Sequence, residues 1–200
     1  MASPGRPRKR SIEESLDLAL ELFWRQGYEG TSIQDLSEAL GVGPSSLYNS
    51  FGSKSQLYLK CLEHYMAQNA DLQRTLSNEH ALTALHELID RSVVQYTKQC
   101  SQPGCALLSA PRQCDPELSE IDDYCVSKRA ATREAIQRTI VRAIQQGDLR
   151  PETDPSSLAR FIMSTLQGMS SQAEDGASRA ELERVALHLK AAISLHQPST

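Results

Sequence analysis

This chain is short of aromatic residues, of long apolar runs and of net positive charge, and each shortage excludes something. Aromatics make up 5 % of its 200 residues, against 40 % hydrophobic residues in all, enough for a proper core in one or two modest domains. No apolar stretch approaches the roughly 18–20 residues of a membrane span. The opening MASPGRPRKR runs straight into SIEESLDLAL, acidic and helix-like, where a signal peptide would need an unbroken apolar segment. A cytoplasmic location with no membrane partner is expected. The five cysteines (Cys61, Cys100, Cys105, Cys114, Cys125) are odd in number and form no C-x-x-C pair, so reduced thiols are expected rather than a disulfide framework. A Gly-rich phosphate loop, G-x-S-x-G and H-E-x-x-H are all missing, so no catalytic residue, cofactor or metal is assigned and an enzyme is not expected.

The net charge of −4 argues against a nucleic-acid partner until its distribution is considered. Residues 1–10 hold Arg6, Arg8, Lys9 and Arg10 and no acidic group. Taking those four from the 21 basic residues leaves 17 against 25 acidic ones, a body of −8 behind a basic arm.

What is present is helical periodicity, without strand-like alternation and with Gly and Pro falling between the periodic segments. Ser11 is expected to open a first helix with Ile12, Leu16, Ala19, Leu20 and Phe23 on one stripe and Gly27 at its end. Thr31 is the expected N-cap of a short second helix, Gly41 its end, and Val42 the residue that plugs the following corner. A third helix is predicted over Pro44 to Phe51 and a fourth from Ser53 through Leu57, Cys61 and Met66 to about Leu72. Further helices are predicted near 79–99, 117–146, 155–173 and 178–195, with PGCALLSAPRQCDP a broken or short helix and Gly147 a C-terminal cap.

The informative stretch is TSIQDLSEALGVGPSSLYNSFGSKSQL, residues 31–57. Two short amphipathic helices joined by a Gly-containing turn have the form of a helix-turn-helix, with Leu36, Leu40 and Leu47 packing them together. Between its buried positions the second of them exposes Pro44, Ser45, Ser46, Tyr48, Asn49 and Ser50. Such small or hydrogen-bonding groups let a helix approach the floor of the major groove and reach base edges, and they build a poor core.

The QGYEGTS junction, I-x-x-L-x-x-A-L-G-V, S-L-Y-x-x-F, and S-K ahead of a long helix together resemble the tetracycline-repressor (TetR/AcrR) family of transcription regulators, closely over residues 10–60. Beyond that, the likeness lies in the helical layout and in Gly147-x-Leu149 … Asp154-x-x-x-Leu158-Ala159. The resemblance implies an all-α chain: a basic arm (1–10), a three-helix helix-turn-helix domain (11–54) and a larger helical effector-binding and dimerisation domain (55–200). It implies a homodimeric repressor released from a palindromic double-stranded DNA operator by a small effector. By position Thr31 and Lys54 correspond to phosphate contacts, and Ser45, Ser46, Tyr48, Asn49 and Ser50 to the recognition helix. Arg6 and Arg8 are expected to follow the backbone or enter the minor groove. Ser50 departs from the Tyr or His often found there, and Pro44 removes a donor at the helix entry.

For the remainder, Leu158, Ile162, Leu166, Met169 and Leu182, Val185, Leu189, Ile193 are candidates for a two-fold interface, with intramolecular core as the other reading. Only Tyr96, Tyr124 and Phe161 supply aromatic faces after residue 65, which disfavours a pocket for large planar cations. Cys100, Cys105, Cys114 and Cys125 crowd one short window, and Cys105 follows Pro103-Gly104 at an expected helix start. Three readings stand: buried small hydrophobes, a thiol sensor of electrophiles or oxidants acting through Cys105, and a soft-metal site with His80 or His86.

Overall fold

The computed structural model describes residues 10–98, 102–110 and 118–198, and they divide into two compact units, the first ending at Tyr65 and the second starting at Met66. Among the described residues every regular element is a helix. In chain order these are α1 (Ile12–Gly30), α2 (Ile33–Leu40), α3 (Pro44–Phe51), α4 (Lys54–Gln68), α5 (Ala70–Thr75), α6 (Ala81–Tyr96), α7 (Ala106–Ser109), α8 (Ser119–Gln145), α9 (Pro155–Glu174) and α10 (Arg179–Ser194). Arg6 and Arg8 of the arm lie outside the described residues.

The first unit starts from a capping box. The Ser11 hydroxyl accepts from the Glu14 amide, and the Glu14 carboxylate accepts from the Ser11 amide in return. Leu16, Ala19, Leu20 and Phe23 turn inward as their spacing requires. Ile12, the first residue of that stripe and of α1, is 66 % exposed. Gly27 kinks α1 with φ 76°, and the last turn carries Tyr28 to a stack against Phe23. Tyr58 of α4 closes on both rings, while Tyr65 meets Trp24 edge-on. Fully buried Leu57, Cys61 and Leu62 complete the seat of α4. The helix breaks after Gln68, short of the Leu72 expected from its pattern.

In the second unit α6, α8, α9 and α10 pack together around Leu85, Ile89, Ile136, Ile140, Ile162 and Ile193, all fully buried. The end of α8 fastens the link into α6: Arg142 donates to the Leu76 and Asn78 carbonyls, and Gln146 donates to the Glu79 carbonyl while accepting from the Ala81 amide. Leu149, just past the left-handed Gly147, is buried, which explains the Gly-x-Leu spacing.

The expected interface stripe needs correction. Leu158, Ile162, Leu166, Met169, Leu182, Leu189 and Ile193 are all buried inside the unit, because α9 and α10 cover α6 and α8 with that face. Only Val185 of the eight is exposed. The apolar groups facing outward are Phe161 at 46 % and Leu187 at 64 % exposure, with Val185 and Leu195 also exposed on α10 and just past its end. The short link after Glu174 makes α9 and α10 antiparallel neighbours, so Phe161 lies toward the Leu187–Leu195 end of the hairpin.

Candidate nucleic-acid interface

The α2–α3 pair is built as its sequence requires, with two exceptions. Ser32, not Thr31, caps α2: its hydroxyl accepts from the Asp35 amide, and the Asp35 carboxylate accepts from the Ser32 amide and hydroxyl. Those bonds hold the Asp35 carboxyl below its ordinary range, the Ser32 hydroxyl contributing most. The capping box is therefore complete at neutral pH and is lost as acid protonates Asp35. Thr31 is fully buried and spends its hydroxyl proton on the Gly27 carbonyl 2.7 Å away, pinning the α1 kink. The expected cap falls one residue early because both residue types cap.

Gly41 ends α2 at φ 67°, a left-handed conformation that an L side chain adopts only with strain. Its amide and that of Val42 close onto the Glu38 and Ser37 carbonyls. The corner is filled by Leu36, Leu40 and Leu47. Val42, expected as the plug, is 39 % exposed and lines a shallow outer groove with Ile33 and Pro44.

Helix α3 presents the arrangement that matters. Leu47 is fully buried and Phe51 nearly so, and around them Pro44, Ser45, Ser46, Tyr48, Asn49 and Ser50 all point to solvent. Tyr48 is 49 % exposed, so half of its side chain faces solvent. Pro44 occupies the first helical position, where its missing N–H costs nothing. No residue from Pro44 to Phe51 is charged, so this face offers hydrogen bonds and small apolar contacts without a cation.

Lys54 opens α4 with its ammonium 4.2 Å from the Tyr28 ring centroid. Partial burial lowers its pKa from the usual lysine value, while nearby Glu29 pulls it back up. The aromatic cluster of α1 and α4 thus aims one cation beside the recognition helix. Two further cations stand at this site: Arg10, which the sequence places in the basic arm, and Lys60, which sequence reading missed. Arg10 donates to the Ala39 carbonyl at 2.9 Å, and Lys60 donates to the Phe51 carbonyl at 3.1 Å. No local signal marks either: Arg10 acts on a helix end 29 residues away, and Lys60 reaches back nine residues across the turn into the preceding helix.

Cys105 and Cys125 belong to the second unit, where both are buried outside any disulfide. Cys100 and Cys114 lie outside the described residues. Cys105 caps α7, whose single turn carries little of an aligned dipole to activate a thiol. Its amide donates to the Ser170 hydroxyl of α9, which ties it into the core. Burial pushes the Cys125 thiol up against the opposing pull of Arg129. This is the geometry of small apolar side chains, and it gives the thiol-sensor reading no advantage. Among the described residues no cluster of ligating side chains could hold a metal ion. Alkylation by iodoacetamide followed by peptide mapping should leave Cys61 and Cys125 unmodified in the native protein; rapid labelling of either would contradict its burial.

Comparison with known proteins agrees with this geometry. The family model for bacterial regulatory proteins of the tetR family matches residues 16–61, and that for the tetracyclin repressor-like C-terminal domain matches 81–189. The chain is 29 % identical to the HTH-type transcriptional repressor ComR of Escherichia coli (strain K12), covering 92 % of this chain and 89 % of that protein. It is 27 % identical to the repressor BdcR of the same organism over 90 % of this chain and 87 % of that one. A cysteine triple mutant of the TetR family transcriptional regulator CifR, solved with 26-bp double-strand operator DNA, superposes with a TM-score of 0.84 at 32 % identity, covering 94 % of this chain and all of that one. The chain belongs to the tetR family of bacterial regulatory proteins, and it is a DNA-binding transcriptional regulator.

Proposed function

We infer that this regulator is a repressor that holds a palindromic operator as a homodimer and lets go when a small effector binds its second unit. The observation that carries the reading is α3, a helix whose buried side is apolar and whose exposed side is wholly polar, small or aromatic. Asn49 suits the two major-groove groups of adenine, and Ser45, Ser46 and Ser50 can donate to or accept from either kind of base pair. Tyr48 adds a ring and a hydroxyl at the centre of that face. Lys54 supplies a phosphate contact from the start of α4, with Arg6 and Arg8 of the arm as further cations. Thr31 holds the junction, its hydroxyl donating to the Gly27 carbonyl.

Release by an effector is a population shift: the effector must prefer the conformation that holds DNA poorly, and it shifts the equilibrium only by that preference. The relatives named as repressors support repression, and the chemistry is binding without catalysis in the cytoplasm. A gel shift with DNA flanking the protein's own gene tests the reading. A complex competed away by the same unlabelled DNA and not by an unrelated duplex is expected; its absence would overturn the assignment.

Because α3 carries no charge, the phosphate term must come from outside it. Deleting residues 1–9 should weaken binding and flatten the plot of log K against log salt by about 0.9 for every phosphate the arm neutralises. The deletion stops at Lys9 because Arg10 is engaged within the folded unit. An unchanged slope would remove the arm from the interface.

A further inference from the structure

The two helices of the helix-turn-helix share a deficiency. Neither α2 nor α3 has a basic residue in its last turn, and each ends at a glycine with positive φ, Gly41 at 67° and Gly52 at 82°. Their C-terminal carbonyls carry the negative end of the helix dipole, which a cation stabilises. In both cases the cation comes from elsewhere in the chain. Arg10, 29 residues before Ala39, reaches the end of α2. Lys60, on the second turn of α4, reaches the Phe51 carbonyl at the end of α3, with its ammonium 5.8 Å from the Phe51 ring centroid.

We propose that Arg10 and Lys60 are positioning residues for DNA recognition: one cation clamps the end of each helix and sets the angle at which α3 is presented, without either touching phosphate. Arg10 has the composition of an arm residue and the bonding of a helix cap. Its Nη1 lies 3.6 Å from where a Cβ on Gly41 would stand, against the turn itself. Lys60 differs from Lys54 in its main-chain partner: both ammoniums lie near a ring, and Lys60 also donates one of its three N–H groups to the Phe51 carbonyl. A clamp of this kind tunes both affinity and discrimination, since base contacts depend on helix placement and phosphate contacts much less so.

The proposal rests on the DNA-binding reading, and one experiment separates the two. A duplex is enriched from a random-sequence library with the wild-type protein, and its Kd is measured across a salt series for the wild type, Arg10→Met, Lys60→Met and Lys54→Met. A second duplex with one recognition base pair changed gives the discrimination ratio. Arg10→Met and Lys60→Met should each bind roughly two- to five-fold more weakly with the wild-type salt slope and a reduced ratio, whereas Lys54→Met should lose about 0.9 from the slope. Arg10→Lys and Lys60→Arg should restore both quantities, because each keeps a donor. A destabilised fold lowers the active fraction but leaves the ratio of the folded protein intact. Slope loss in the Arg10 or Lys60 variant, or affinity and ratio equal to wild type, would overturn the clamps. Failure of the wild type to enrich any duplex would overturn the DNA-binding reading itself.

Discussion

Leu47→Ala should cost about 2–5 kcal/mol of stability, and Tyr48→Ala next to it should cost almost none. Leu47 is fully buried between α2 and α3, so truncation leaves a cavity where the two helices meet. The DNA-reading unit spans only the chain to Tyr65, and small units have little stability to spare. Thermal unfolding of that unit should therefore fall by tens of degrees or become uncooperative, with DNA binding lost alongside. Tyr48 is half exposed and fills no core position. Its loss should leave the melting curve unchanged while weakening operator binding by about 1–3 kcal/mol, a factor of roughly 5 to 150. Equal melting temperatures for both variants would contradict the assignment of the two faces of α3. Full operator affinity in Tyr48→Ala would remove that residue from the readout.

The second large effect belongs to dimerisation. Replacing Phe161 and Leu187 together by Glu puts two charges on the outward face of α9 and α10 and touches none of the residues that pack inside the unit. Sedimentation should show monomers, and operator affinity should fall by about a hundredfold or more, because two linked reading heads gain from effective concentration what one head lacks. The melting temperature of dilute protein should fall as well, since assembly stabilises the fold by mass action. A variant that remains dimeric would move the interface elsewhere. Glu at Ile162 would not serve this purpose, because that side of α9 is core and the substitution would unfold the unit before it separated two copies.

These expectations mark where the sequence could be read and where it could not. The helical pattern, the turn at Gly41 and the alternation of Leu47 and Phe51 with polar neighbours are local signals, and α3 matches them residue for residue. The Ser11 cap and the Gly147 end are local as well. Thr31 and Ser32 are adjacent capping residues, and only the direction of the chain after the α1 kink decides which hydroxyl meets the Asp35 amide. Val42 is apolar in a corner already filled by three leucines, so it is left outside. The stripe from Leu158 to Ile193 shows that one face of each helix must be covered, but apolar spacing is the same whether a neighbouring helix or a second copy covers it. Here α6 and α8 cover it. Arg10 makes the same point for charge: it sits in a basic run, yet its partner is a carbonyl reached only once the chain has folded.

Methylation interference on the bound operator tests whether α3 reads base edges in the major groove. Guanine N7 faces that groove, and a methyl group there blocks the close approach of a helix. Interference should appear in two clusters related by two-fold symmetry and separated by about one helical turn, the spacing of paired recognition helices. Interference confined to adenine N3 in the minor groove, or none at all, would contradict major-groove reading by α3.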